Sequence, residues 1–317
     1  MKNKKKILIL GDLILDKYVI GNLLKKSTES PVEIVSKAIN NYRLGGAANV
    51  ALNLKKLNNN VYFITAIGKD YHGKIAREVL KKMKIKSILL PCKKETTTKI
   101  RFFYKNKSLL RHDIEKLEYL SKKKFYIIKK IINTIKKIDG IYISDYNKGF
   151  ITSDVIKFIK KFSKNKKIPI FVDPKNYNFR IYENIDYIKP NKIFFENLSK
   201  QKIKLNKKKQ LKNILYKICK KYQIPNLIIT LGNQGSIFFN QANNNFIKTK
   251  PLKVKETDIT GAGDIFGSTF FNYILKNDNI KKTLILSNIA SAISVTKFGT
   301  VSVKENKIYN KFNNEYF

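Results

Sequence analysis

Short apolar runs rich in β-branched residues alternate along this chain with longer amphipathic stretches studded with lysine. This order of strand, helix and strand predicts βαβ units, and so an α/β fold whose mostly parallel sheet is covered by helices on both faces. We predict strands at residues 7–10, 61–64, 140–144, 168–172, 187–189, 227–230 and 236–239. We predict helices at residues 47–57, 74–83, 122–138, 154–164, 207–222, 264–276 and 280–297.

Two segments interrupt the alternation, residues 18–42 and 96–114, and both have an extended, β-rich pattern. The second has the form of a hairpin with a turn at Asn106-Lys107. Two β-rich insertions in an α/β core predict a small sheet that acts as a lid over a site, with ordinary edge strands as the alternative. The sequence carries no internal repeat and no linker rich in proline, glycine or serine, which predicts a single domain over residues 1–317.

The composition excludes several classes of protein. With 317 residues, 43% of them hydrophobic, the chain can bury a full core. Cys92 and Cys219 are far apart and give neither a disulfide framework nor a zinc-ligand spacing, and two histidines leave little room for a histidine-based site. No apolar run approaches the roughly 20 residues of a membrane span. Asp12 and Asp16 break the N-terminal apolar run that would otherwise resemble a signal peptide. These features predict a cytoplasmic protein with no membrane partner.

The formal net charge of +42 raises the alternative of a basic nucleic-acid-binding protein. Only five of the 65 basic residues are arginine, however, and the lysines are spread over the whole chain. Nucleic-acid sites commonly use arginine forks as well as lysine, so solvated lysine is the favoured interpretation, and no specific nucleic acid is expected as a partner. Weak binding to polyanions at low salt is expected.

The pattern most informative for function is Gly261-Ala262-Gly263-Asp264, at the start of a predicted helix. Backbone N–H groups of small residues at a helix start can face an anion, helped by the helix dipole. A carboxylate in the first turn can then accept a proton from a hydroxyl held against that anion, as a phosphoryl-transfer enzyme requires. The sequence has no Gly-x4-Gly-Lys-Ser/Thr motif, so this is not a P-loop. The alternative is a glycine-rich helix start in which Asp264 only stabilises the dipole.

Two further clusters favour the first interpretation. Gly45 and Gly46 precede a helix that begins with small residues and Asn49, where a ligand can approach the backbone and meet an amide. Asp12 and Asp16 follow the first predicted strand, and ligands of α/β proteins bind beyond the carboxyl ends of strands. Carboxylates at that edge can pair with adjacent sugar hydroxyls. Tight helix packing and a turn with a helix cap are the structural alternatives.

Taken together, the Gly45-Gly46-Ala47-Ala48-Asn49 and Gly261-Ala262-Gly263-Asp264 motifs make the chain resemble the ribokinase-like (PfkB) carbohydrate kinases over essentially its whole length. Within that family it most resembles the kinases of ADP-heptose synthesis. Those kinases phosphorylate the anomeric hydroxyl of D-glycero-β-D-manno-heptose 7-phosphate in making the lipopolysaccharide precursor, and the similarity covers only the kinase half of the bifunctional form. The stretches that carry this similarity are Thr98-Lys99-Ile100-Arg101, Leu110-Arg111-His112-Asp113, residues 144–149 and Asp173-Pro174-Lys175.

The resemblance implies a three-layer fold with a β lid, ATP and Mg²⁺ as cofactors, and roles for particular residues. Asp264 would be the catalytic base, and the amides of Gly261, Ala262 and Gly263 would form an anion hole. The sugar phosphate would be held by Asp12, Asp16, Gly45, Gly46, Asn49 and Asp145, with Lys99, Arg101, Arg111, Lys148 and Lys175 as candidate cations. The nucleotide would lie against Asn191, Lys192, Ile193, Phe194, Thr230, Gly232, Gly235 and Asn288.

One position departs from the family pattern. Phe194 stands where an Asn-x-x-Glu motif would place a carboxylate, and Glu196, two residues on, is expected to point elsewhere on a helix. The metal ligands therefore stay unassigned. Besides the nucleic-acid alternative, three functions remain open: a heptose phosphate kinase, a kinase for another sugar or a nucleoside, and a relative of these kinases without turnover. The open edges of a lid sheet favour a homodimer.

Overall fold

The strands of the computed structural model, which describes residues 4–27, 29–30, 33–104, 107–176 and 178–316, form two sheets. The larger sheet contains β1 Lys6–Gly11, β4 Asn60–Gly68, β5 Lys86–Cys92, β8 Gly140–Ser144, β9 Ile170–Asp173, β10 Tyr187–Ile188, β11 Asn226–Thr230, β12 Ser236–Asn240 and β13 Asn245–Thr249. The smaller sheet contains β2 Leu13–Lys26, β3 Glu33–Gly46, β6 Thr98–Tyr104 and β7 Lys107–Ile114.

The larger sheet is parallel from β5 to β11, in the order β5-β4-β1-β8-β9-β10-β11, and β12 and β13 then add antiparallel strands at one edge. Because β1 pairs with β8 and β8 with β9, the last residues of these three strands lie side by side: Gly11 opposite Ser144, and Ser144 opposite Asp173. The chain segments that leave this edge therefore begin close together, which is the arrangement that builds ligand sites in parallel sheets.

Helices cover both faces of the larger sheet. They are α1 Ala47–Lys56, α2 Tyr71–Lys82, α3 Lys122–Thr134, α4 Ser153–Lys166, α5 Lys192–Ser199, α6 Lys208–Lys221, α7 Ala262–Leu275, α8 Ile280–Val295 and α9 Glu305–Tyr316. Alternate residues of β1 enter different cores: Leu8 and Leu10 pack with α3, α4 and α6, whereas Ile7 and Ile9 pack with α1, α2 and α7. Burial of each such side chain contributes about 1.5–3 kcal/mol to folding, so the sheet is held from both sides.

The strands of the smaller sheet pair in the order β3-β2-β6-β7. Strand β2 follows the end of β1, and β3 leads directly into the start of α1. Arg43 on β3 donates to the carbonyl oxygens of Phe298 and Thr300, at 2.5 and 3.1 Å. The rings of Tyr18 and Phe103 pack on Phe298, with centroids 5.2 and 4.6 Å apart. The base of the lid is therefore fastened to the segment that follows α8.

The structure confirms the mostly parallel, helix-covered sheet and the β lid that the sequence predicts. The lid strands are longer than predicted, because β2 begins at Leu13 and β3 continues to Gly46. The turn predicted at Asn106-Lys107 is misplaced on one side, since Lys107 already belongs to β7. Residues 28, 31, 32, 105 and 106 of the predicted lid segments lie outside the described residues. Within the described part of the chain, no helix is long and apolar enough to cross a membrane.

Candidate active site

Asp264 lies in the first turn of α7, at the edge where β1, β8 and β9 end. The side chain is 3% exposed. Its Oδ2 accepts a hydrogen bond from Asn49 Nδ2 at 3.0 Å, and its Oδ1 accepts one from the Tyr146 hydroxyl at 2.7 Å. Burial raises the pKa of Asp264 to about 6, and the bonds from Asn49 and Tyr146 act against that rise. The carboxylate is thus fixed in position and is ionised at neutral pH, as a general base must be.

The backbone before Asp264 has the shape of an anion site. Gly261 adopts φ 79°, and a Cβ there would lie 2.7 Å from Asn49 Nδ2, so a glycine is required. A Cβ on Gly263 would meet only Lys189 Nζ, at 3.9 Å, so this side of the helix start is open to a ligand. The Ala262 N–H already donates to Ile259 O at 3.2 Å, which makes it the weakest of the three predicted anion-hole donors.

Two carboxylates follow the ends of β1 and β8. Asp12 accepts hydrogen bonds from the N–H groups of Tyr146, Lys148 and Phe150, at 2.9, 3.2 and 3.3 Å. Asp12 therefore anchors the loop after β8. Asp145 is bonded to the Tyr182 hydroxyl, and burial together with the nearby Asp12 raises the pKa of Asp145 to about 7.

The predicted sugar residue Asp16 lies on β2, at the base of the lid. It is 2% exposed and forms an ion pair with Arg101 of β6 at 2.5 Å. Burial raises the pKa of Asp16, and the Arg101 guanidinium opposes that rise. Asp16 Oδ2 packs so closely on Gly45 that no Cβ would fit there, which explains the glycine. The structure thus brings Asp16, Gly45 and Arg101 together.

All five cations predicted for the sugar phosphate contact carboxylates. The pairs are Lys99–Asp113 at 2.8 Å, Arg101–Asp16 at 2.5 Å, Arg111–Asp113 at 3.0 Å, Lys148–Glu115 at 2.8 Å and Lys175–Asp173 at 3.8 Å. Glu115 also lies 3.7 Å from Lys99 Nζ. Its carboxylate therefore sits between an ammonium group of the lid and one of the loop after β8, and the bond from Lys148 lowers the pKa of Glu115.

Sequence reasoning missed two residues of this site, Tyr146 and Lys189. Lys189 is 1% exposed and pairs with Asp173 at 2.8 Å, and its Nζ lies 3.9 Å from the place of a Cβ at Gly263. A fully buried ammonium group beside an open helix start is a second source of positive charge for an anion. The signal was available, because Lys189 interrupts the end of an otherwise apolar predicted strand, next to Asn191.

Most residues predicted for the nucleotide gather at the ends of β10 and β11. Asn191 pairs with Thr230 in an isolated β-bridge. Lys192 Nζ donates to the side chain of Gln234 at 3.2 Å. Gln234 belongs to a short 3-10 turn that begins at Gly232 and is followed by Gly235. Asn288 Nδ2, on α8, donates instead to Thr249 Oγ1 of β13 at 2.8 Å. The Ile193 side chain is 69% exposed on α5.

The position of the missing carboxylate is apolar. Phe194 packs its ring on Phe179, with centroids 5.9 Å apart. Glu196 is directed away from it, and its carboxylate accepts from Ile203 N at 2.9 Å and from Lys202 Nζ at 3.0 Å. The side chain of Asn191 is itself occupied as the cap of α5, accepting from Phe194 N at 2.8 Å. Among the described residues, no group of three or more His, Cys, Asp or Glu is placed to hold a metal ion.

Comparison with known proteins gives consistent results. The model of a family described as "pfkB family carbohydrate kinase" matches residues 4–307. The chain is 32% identical over 314 residues to "Bifunctional protein HldE" of a Nitratiruptor species, covering 97% of this chain and 65% of that protein. It is 34% identical over 315 residues to the protein of the same name from Campylobacter jejuni, covering 97% of this chain and 64% of that protein. The chain thus spans just under two thirds of the length of these relatives.

Solved structures share the fold. Phosphofructokinase-2 from Escherichia coli, in complex with substrates and products, superposes with a TM-score of 0.79 at 16% identity, over 98% of this chain and 99% of that one. A ribokinase from Thermotoga maritima gives a TM-score of 0.72 at 21% identity, over 97% and 99% of the two chains. These similarities confirm the ribokinase-like three-layer fold.

Proposed function

The chain belongs to the pfkB family of carbohydrate kinases, and we propose that it transfers the γ-phosphoryl group of ATP to the anomeric hydroxyl of D-glycero-β-D-manno-heptose 7-phosphate. The product would be the 1,7-bisphosphate, a precursor in ADP-heptose synthesis for lipopolysaccharide. One observation carries the proposal: Asp264 is buried and fixed by Asn49 beside an open helix start. The choice of heptose rests on the sequence motifs and on the relatives named HldE.

In this proposal, the sugar lies against Asp16 and the loop after β8, with its anomeric hydroxyl within reach of Asp264. Asp264 accepts the hydroxyl proton as the oxygen attacks the γ-phosphorus and the bond to the ADP oxygen breaks. Because the transition state of phosphoryl transfer is loose, a weakly basic carboxylate is sufficient. The amides at the start of α7 and the Lys189 ammonium stabilise the charge on the transferring group.

Mg²⁺ is part of the proposal through the nucleotide. When bound, it would offset the negative charge of the phosphates. Phe194 offers no ligand for the ion. The residues present therefore fit an Mg²⁺ ion that is held chiefly by phosphates and water, as this ion commonly is. Asp173 Oδ1 is buried with no hydrogen-bond partner in the described part of the chain, and it is the oxygen that would accept from the water shell.

The phosphate of the sugar would replace the Glu115 carboxylate between Lys99 and Lys148. We expect Glu115→Gln to lower the KM for heptose 7-phosphate about two- to fivefold, because a partly exposed carboxylate no longer competes for two cations. Steady-state kinetics measures this effect, and the KM for ATP should not change. Glu305→Gln, which breaks a comparable pair with Lys276, is the matched control. An unchanged or raised KM for the sugar would remove Lys99 and Lys148 from the phosphate site.

The decisive test of the proposed function is ADP formation with purified heptose 7-phosphate as the acceptor. Fructose 6-phosphate, ribose and adenosine serve as competing acceptors under the same conditions. We expect the heptose phosphate to give the highest kcat/KM and the phosphorus NMR signals of a 1,7-bisphosphate. A higher kcat/KM for another acceptor would reassign the substrate, and no turnover with any acceptor would favour a relative without activity.

We also propose that the kinase is a cytoplasmic homodimer joined through the lid sheets. The free cysteines Cys92 and Cys219 suit a reducing compartment. Strands β3 and β7 end the smaller sheet among the described strands, and Ile39 and Leu110 on them are 72% and 59% exposed. Sedimentation equilibrium should give twice the chain mass for the wild type and the mass of one chain for Ile39→Glu. A monomeric wild type would contradict the dimer and leave the kinase assignment intact.

A further inference from the structure

Tyr146 contacts two carboxylates of the candidate site, those of Asp12 and Asp264. Its backbone N–H donates to Asp12 Oδ2 at 2.9 Å, and its hydroxyl donates to Asp264 Oδ1 at 2.7 Å. Asp12 belongs to the segment that enters the lid, whereas Asp264 belongs to the catalytic helix α7. A single residue of the loop after β8 therefore contacts both the Asp12 carboxylate and the proposed base.

We propose that Tyr146 is a positioning residue for the catalytic base: its hydroxyl holds Oδ1 of Asp264 towards the acceptor and keeps that carboxylate ionised in its buried place. This inference rests on the proposed function in taking Asp264 as the base. It adds a residue to which the sequence motifs assign no role.

The two hydrogen-bond donors to Asp264 bind different oxygens of its carboxylate. Asn49 bonds to Oδ2, and Asn53 Nδ2 in turn donates to Asn49 Oδ1 at 3.0 Å, so this contact is braced within α1. Tyr146 bonds to Oδ1 from the loop after β8. Each carboxylate oxygen can accept two hydrogen bonds, so Oδ1 keeps one lone pair for the hydroxyl of the acceptor while Tyr146 stays in place.

Tyr146 acts as a donor throughout the working pH range. Burial, together with nearby Asp264 and Asp173, raises the pKa of the phenol well above its usual value, so it does not compete for the proton of the acceptor. The other charged or titratable groups that face Asp264 are Asp173, Lys189 and Tyr142. Asp173 and Lys189 form an ion pair with each other, so neither replaces the hydrogen bond from Tyr146.

Tyr146→Phe removes one oxygen and keeps the ring. Without the bond, the pKa of Asp264 rises, so the acid limb of the kcat/KM profile, near pH 6 in the wild type, should move up by about one pH unit. At pH 6 we expect a loss of about fivefold in kcat/KM, and at pH 8 a much smaller one.

Tyr142→Phe is the matched control. Tyr142 is a buried residue of β8, four positions earlier, and its hydroxyl has no hydrogen-bond partner among the described residues. Its removal should leave the acid limb where it is in the wild type. A role of Tyr146 in packing alone would lower stability or kcat at every pH without moving that limb.

A titration that needs no substrate separates this inference from the proposed function. In protein with ¹³C-labelled aspartate, the Asp264 carboxyl signal is identified by its loss in Asp264→Asn, and its midpoint should rise in Tyr146→Phe but not in Tyr142→Phe. If Tyr146→Phe does not fold, 3-fluorotyrosine at position 146, a stronger donor, should lower the midpoint or leave it unchanged. An unchanged midpoint in Tyr146→Phe, or a raised one with fluorotyrosine, would overturn the role of Tyr146 whatever the acceptor proves to be.

Discussion

Asp264→Asn is expected to bind ATP as the wild type does and to lose about 10²–10⁴-fold in kcat. The amide has nearly the same shape as the carboxylate, so the contacts with Asn49 and Tyr146 need only small changes, and the fold should survive. What disappears is the acceptor for the hydroxyl proton. Single-turnover kinetics measures the loss, and nucleotide binding by calorimetry shows that the site is otherwise intact.

Asp186→Asn is a suitable control for that experiment. Asp186 is also a partly buried aspartate whose pKa is raised by burial, and it accepts a bond from Ile170 N at 2.8 Å, away from the candidate site. An asparagine oxygen can still accept that bond, so turnover should stay close to that of the wild type. Near-normal turnover of Asp264→Asn would mean that another group, or none, accepts the proton.

The parts of the site that the sequence predicted are those carried by local patterns. Gly261-Ala262-Gly263-Asp264 forms a helix start from adjacent residues, and α7 begins within two residues of the predicted position. Strand β8 was predicted with its observed bounds, and its five residues are all buried. Such features depend on neighbours in the chain, and a pattern of residue types records them well.

Two of the strands that were missed lack such a pattern. Strand β5 contains Pro91 and lies at the edge of its sheet among the described strands, which is where a proline is tolerated. Strand β13 has only one fully buried residue, Thr249, so its apolar signal is weak. Both strands are held by pairing with a neighbour, and no single-sequence pattern reports that pairing.

Within the site, contacts between residues far apart in the sequence could not be predicted from local patterns either. The hydrogen bond from Tyr146 to Asp264 joins residues 118 positions apart in the sequence, and the bond from Arg101 to Asp16 joins residues 85 positions apart. The sequence predicted Arg101 as a phosphate ligand, whereas the structure shows it in an ion pair with Asp16. Only the register of β2 with β6, which places Asp16 opposite Lys99 and Tyr18 opposite Arg101, brings these side chains together.

Lys189→Met should lower both stability and turnover strongly. It removes the cation from a fully buried ion pair and leaves the Asp173 carboxylate, 3% exposed, with only the more distant Lys175 ammonium, 3.8 Å away. Breaking a buried pair in this way costs about 3–5 kcal/mol in the free energy of unfolding, which urea denaturation can measure. Turnover should fall by roughly 10²–10³-fold, because one preorganised charge beside the transferring group is lost.

The double variant Lys189→Met with Asp173→Asn separates the two effects. With no uncompensated carboxylate, most of the lost stability should return, since replacing both members of a buried pair is often close to neutral. If Lys189 acts on the phosphoryl group, turnover stays low in the double variant and is higher in Asp173→Asn alone, where the ammonium remains. Recovery of turnover together with stability would instead make Lys189 a structural partner of Asp173. The charge on the transferring group would then be stabilised at the helix start by the amides of α7, with no contribution from the ammonium group beside Gly263.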